Sequence, residues 1–141
     1  MKTRPRPGDV YRHTFMVTDA KTVPNLYPES AEFRSMPNIF ATGFMVGLME
    51  WACIDGLKPH LDDGEGSLGV GIAVSHVAAT PPGVRVTVTV TCKAVEGRHI
   101  HWHVRAEDDF ELIGEGTHER VIVQWERFAP KIAEKARCMA R

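Results

Sequence analysis

The chain has 141 residues, enough for one domain around a single core. With 43% hydrophobic and 25% charged residues and a net charge of -1, it has an ordinary globular composition and no general electrostatic case for nucleic acid or an anionic membrane. Its three cysteines, Cys53, Cys92 and Cys138, are odd in number and match no zinc or redox spacing, so they read as free thiols in a reducing compartment.

Residues 1 to 8 are basic and proline-rich, with no apolar run behind them. They are expected to form a loose arm rather than a secretory signal, and the protein is expected to be cytoplasmic. Tyr11, Phe15 and Val17 suggest a first strand. Asp19 to Asn38 carries Pro24, Pro28 and Pro37 and reads as an irregular segment with at most a helical turn near Glu29 to Phe33, either a lid or a plain connection.

Between Arg34 and Asp55 the only charged residue is Glu50, and Phe44, Leu48, Trp51 and Ile54 fall at helical spacing. A helix from about Gly43 to Leu57, apolar on nearly every face, is expected to be buried. The run is too short to span a bilayer. Gly56, Pro59 and the Asp62-Asp63-Gly64 turn close it.

Beyond this helix the pattern changes to period two. Strands are expected over Ser67 to Ala79, over Val84 to Thr91, over His99 to Ala106 and over Glu111 to Arg127, with a short helix over Lys131 to Cys138. Short turns make the four strands antiparallel. A strand, a loop, one long apolar helix and four strands to wrap it describe an α+β hot-dog fold in a single domain over residues 1–141. Its edge strand and spare apolar surface point to at least a dimer.

Three side chains could carry chemistry. Thr42 precedes the helix, where it reads either as an N-cap or as a hydroxyl nucleophile. Glu50 lies about two turns further on, and an ionised carboxylate in so apolar a helix needs a specific partner. His76 shares the period-two face of Val70, Ile72 and Val74, so it is either a satisfied core histidine or a base within reach of Glu50. Hydroxyl, imidazole and carboxylate are the parts of an acyl-transfer site. His99, His101 and His103 lie on one strand face, but Ile100, Trp102 and Val104 take the core side. The histidines are therefore expected to face solvent and hold no metal.

Five blocks carry a resemblance: Leu26 to Ser30, Phe40 to Cys53, Gly64 to Gly69, His76 with Ala79 to Gly83, and Gly116-Thr-His-Glu-Arg120. Together they resemble the fluoroacetyl-coenzyme A thioesterase family and its close hot-dog relatives over about residues 10 to 128. The resemblance implies a dimeric enzyme that hydrolyses a short acyl-coenzyme A to the acid and free coenzyme A, without cofactor or metal. It also implies that Thr42, Glu50 and His76 are the catalytic set, that Gly69 meets the thioester through its backbone, and that Arg120 contacts substrate or coenzyme A. In the fluoroacetyl enzymes two phenylalanines form a lid over the acyl pocket. This sequence resembles them in Phe33 but has Met36 at the second place, and methionine adapts to varied shapes. A hot-dog enoyl-coenzyme A hydratase and a non-catalytic acyl-coenzyme A binder are the alternatives.

Overall fold

The computed structural model describes residues 1–139. Five strands form one antiparallel sheet: β1 (Val10–Met16), β2 (Glu65–Val74), β3 (Arg85–Glu96), β4 (His99–Asp108) and β5 (Leu112–Gln124), in the order β1-β3-β4-β5-β2. Three α-helices accompany them: α1 (Ala31–Arg34), α2 (Thr42–Leu57) and α3 (Trp125–Met139). This is the α+β arrangement expected of a hot-dog fold, with α2 lying across the sheet.

The core follows from alternation. Val86, Val88, Val90 and Cys92 of β3 and Ile100, Trp102, Val104 and Ala106 of β4 turn the same way and are fully buried. Met45, Met49, Ala52 and Cys53 come down on them from α2. Each fully buried side chain of this size contributes roughly 1.5–3 kcal/mol of transfer free energy, so this interface anchors the helix. None of the three cysteines is paired, and two of them are core residues. The outward-facing side chains of β4 include His99, His101 and His103, as expected. Cross-strand Glu119 and Glu115 of β5 stand beside them at 2.8–3.2 Å, carboxylates that reading β4 alone did not reveal. Among the described residues, no group of three or more His, Cys, Asp or Glu is placed to hold a metal ion.

Four expectations change. Residues 1 to 8 are not loose: the backbone N–H of Lys2 donates to His60 O, that of Gly8 to Cys92 O, and the Met1 amine pairs with buried Glu65 at 2.8 Å. The last strand ends at Gln124 rather than Arg127, because Trp125 and Phe128, three residues apart, pair edge to face on one side of a helix. α3 is accordingly longer than Lys131 to Cys138. The first strand after α2 ends at Val74, not Ala79, and pairs with β5 at the far edge of the sheet rather than with β3. Gly114 and Gly116 explain that placement: a Cβ at either would lie 2.3 Å from Ser75 O or 2.0 Å from Ala73 O, so only bare backbone lets the chain lie this close to β5.

β2 is therefore an edge strand. Val70 is 51% and Ile72 44% exposed, so neither is buried against the helix in the way an inward-facing strand residue would be. Among the described residues no helix is long and apolar enough to cross a membrane.

Candidate active site

Thr42 is the first residue of α2, and Ala41 occupies the cap position without a side-chain hydrogen bond. The N-cap reading of Thr42 thus falls away. Its hydroxyl instead lies 2.7 Å from His76 Nδ1. His76 sits just past β2, between two anchors to β5: Ser75 N–H donates to Glu115 O at 2.9 Å and Val77 N–H to Ile113 O at 2.7 Å. The loop before α2 is tied in the same region, where Phe40 N–H donates to Thr80 O at 2.8 Å. Both partners of the Thr42–His76 contact are thus held by backbone on either side.

Burial lowers the His76 pKa from its ordinary 6.5, opposed in part by the Ala78 backbone, which favours an imidazole that is neutral and able to accept a proton. If Nδ1 accepts from the Thr42 hydroxyl, Nε2 carries the hydrogen. Nε2 is buried and has no partner among the described residues. Thr42 and His76 line a groove of about 300 Å3 with Val23, Ile39 and Val77.

Glu50 is elsewhere. Its Oε2 accepts from Arg120 Nη1 at 2.8 Å, and it lines a second groove of about 250 Å3 with Val46, Gly69, Val70 and Ile72. Within one chain, His76 and Glu50 do not pair. The reason is helical geometry: eight residues separate Thr42 from Glu50, about 12 Å along the axis, and His76 is bound at the Thr42 end. A Cβ at Gly69 would come within 2.9 Å of Glu50 Oε2, so the glycine makes room for that carboxylate.

Of the remaining expected residues, Gly69 and Arg120 lie with Glu50, while Phe33 and Met36 line neither groove. Arg120 is 2% exposed and also donates from Nε to Ser67 Oγ at 2.8 Å and from Nη2 to Ser67 O at 2.9 Å. Phe33 sits on α1, half-buried, with its ring 5.9 Å from that of Tyr27. Met36 follows α1 and is 45% exposed. Two participants escaped the sequence reading, Ser67 and His118. His118 could have been found, since on a strand it shares a face with Arg120 two residues later.

The sequence profile of the family FlK, fluoroacetyl-CoA-specific thioesterase, matches residues 17–126. The chain belongs to that family. The fluoroacetyl-CoA thioesterase of Streptantibioticus cattleyicolor is 53% identical over 135 residues, 96% of this chain and 97% of that protein. The solved structure of the fluoroacetyl-CoA thioesterase FlK superposes with a TM-score of 0.93 at 53% identity, covering 94% of this chain and 98% of the other. A variant of FlK with alanine in place of a phenylalanine has been solved in complex with fluoroacetate and CoA. A hypothetical protein of Thermus thermophilus, a thioesterase superfamily member, is 29% identical and matches with a TM-score of 0.86 over 99% of this chain and 100% of its own.

Proposed function

We propose that this thioester hydrolase splits short acyl-coenzyme A esters, fluoroacetyl-coenzyme A or a related small acyl group among them, into the acid and free coenzyme A. We further propose that it works as a homodimer in the cytoplasm. The observation that carries the reading is the 2.7 Å contact between Thr42 Oγ1 and His76 Nδ1 at the mouth of an apolar groove, in a chain of this family.

In the proposed mechanism His76 acts as base toward the Thr42 hydroxyl or toward a water in its place. The proton taken at Nδ1 passes to the departing thiolate of coenzyme A, which leaves as the thiol; on the Thr42 route a water, deprotonated by His76 in turn, then splits the acyl-threonine ester, releasing the acid and returning the proton to the Thr42 oxygen. Backbone N–H groups at the start of α2, or at Gly69, face the developing oxyanion. The charged imidazole needs a carboxylate at Nε2, as in other nucleophile–base–acid sets.

Glu50 of a second copy is the natural supplier. The exposed edge of β2, with Val70 and Ile72, adjoins the Glu50 groove and suits strand-to-strand pairing of two copies. Phe33 and Met36 then cover the acyl group. Met36 in place of a second aromatic side chain suits a wider range of acyl shapes than a single fluorinated one.

Thiol release measured over a panel of short acyl-coenzyme A esters tests the activity. Binding of these esters without thiol release, or water addition to crotonyl-coenzyme A in its place, would sink it. Mixing Glu50→Gln and His76→Ala chains, each inactive alone, tests the shared site. Random re-pairing leaves one intact site in half of the dimers, so about a quarter of parental activity should return. A site contained within one chain would return none.

A further inference from the structure

One buried titratable side chain has no place in the mechanism so far. His118 lies in β5 and is 4% exposed. Its two nitrogens meet partners of opposite kind. The Gly71 carbonyl, 2.7 Å from Nδ1, can only accept, so Nδ1 carries the hydrogen. Arg120 Nη1, 3.1 Å from Nε2, can only donate, so Nε2 presents its lone pair. The ring is therefore neutral in one tautomer. A second proton would aim an N–H at a guanidinium N–H. Burial lowers the His118 pKa and the Arg120 charge adds to that, against the Gly71 carbonyl and Glu50.

This arrangement completes the hydrogen bonding of Arg120 Nη1. Of its two hydrogens, one goes to Glu50 Oε2 at 2.8 Å and the other to His118 Nε2. Ser67 takes Nε and Nη2 through its hydroxyl and carbonyl. With acceptors on both sides, the guanidinium plane has one orientation, and that orientation sets where the Glu50 carboxylate lies. The three groups converge beside Gly69: a Cβ there would meet Glu50 Oε2, His118 Cε1 and Arg120 Nη1 at 2.9, 3.1 and 3.4 Å.

We infer that His118 is a positioning residue for thioester hydrolysis: its neutral imidazole locks Arg120, and Arg120 in turn holds the Glu50 carboxylate in the orientation that the reaction uses. The inference rests on the reading above that Glu50 is catalytic. It gives His118 a requirement that packing alone would not impose, namely an acceptor at the position of Nε2. Removing that acceptor leaves a buried donor of Arg120 unsatisfied and lets the guanidinium turn.

Two variants separate the nitrogens. In His118→Asn the side-chain amide can still donate to Gly71 O, but nothing reaches Arg120. In His118→Gln the longer side chain can place its amide oxygen against Arg120 Nη1. Turnover and KM are measured in a thiol-release assay, and exchange of the Arg120 Nε–H is followed by nitrogen-15 NMR. His118→Asn should lower kcat about tenfold or more with KM within about threefold of the parent. Its Arg120 Nε–H should exchange about tenfold faster, and His118→Gln should bring both back to within about threefold of the parent. If asparagine and glutamine behave alike in both measurements, or asparagine changes neither, the inference is overturned. A parent enzyme that releases no thiol from any ester would instead overturn the thioesterase reading, while NMR still decides whether His118 holds Arg120.

Discussion

The two central strands and the edge strand β2 obey different rules. From Val86 to Cys92 in β3 and from Ile100 to Ala106 in β4, every second side chain is apolar and fully buried and those between are not, although both strands shift register beyond these stretches. In β2 the stretch Gly69 to Ala73 is exposed along its whole length, apolar side chains included, and a bulge at Val70 breaks the register against β5. The first region is finished within one chain. The second is not, and every expected catalytic group adjoins it or the turn that follows it. The comparison teaches that the site grows where the fold stops satisfying its own side chains: an unpartnered His76 Nε2, a half-buried Glu50 and an unpaired strand edge.

Perturbing the finished region should give the largest effect and should act on stability. Trp102→Ala empties a core site between α2 and the sheet and is expected to cost about 3–5 kcal/mol of unfolding free energy, read by denaturant titration. The complementary break is chemical. His76→Ala and Glu50→Gln are each expected to cut turnover about a hundredfold or more while leaving the thermal midpoint close to the parent's. Within one chain burial lowers the His76 pKa, and a Glu50 carboxylate arriving at Nε2 would raise it, so the acid limb of the rate should vanish in His76→Ala and move to lower pH in Glu50→Gln. An acid limb unchanged in His76→Ala would remove His76 as the base.

The next effect sharpens the boundary between the regions. Gly69→Ala pushes a methyl group to within 2.9 Å of Glu50 Oε2 and should lower turnover by about tenfold with little loss of stability, since the neighbour that yields is a side chain. Equal turnover in this variant would show that Glu50 tolerates displacement.

The smallest effect lies at the start of β2, where Glu65 is fully engaged. Glu65 accepts from the Met1 amine, the Asp62 backbone and Arg98, and these bonds, the first foremost, hold its pKa at about 2. A lowered carboxylate pKa stabilises the fold above the ordinary value of 4.5 and loses that contribution as pH falls toward 2. Glu65→Gln should therefore lower the thermal midpoint by a few degrees at neutral pH, with the difference shrinking across that acid window. A constant difference at all pH values would assign the loss to packing instead.

Much of this was legible beforehand. The valine–threonine alternation of β3 and the histidine–apolar alternation of β4 gave faces as well as strands, because a half-buried strand leaves a period-two record. The long apolar run with its single acid marked α2 and Glu50. The run from Val70 to Val74 misled, since its alternating valine and isoleucine look the same whether they face the protein's own core or an open edge. The Thr42 cap reading failed for a related reason: a threonine before a helix serves backbone or side chain equally well in sequence, and the choice was made by His76 arriving from the loop after β2.

The order of residues by itself determined the helix, the alternation of the strands and the family, and it marked three candidate groups for the proposed chemistry, because each leaves a local pattern in the chain. Tertiary structure alone decided which groups meet. Thr42 was joined to His76 and Glu50 to Arg120, with β2 at the far edge of the sheet and glycines on β5 leaving room for backbone where a Cβ would collide with it. Contacts between residues 34 and 70 positions apart depend on register and close approach, and neither leaves a period in the sequence.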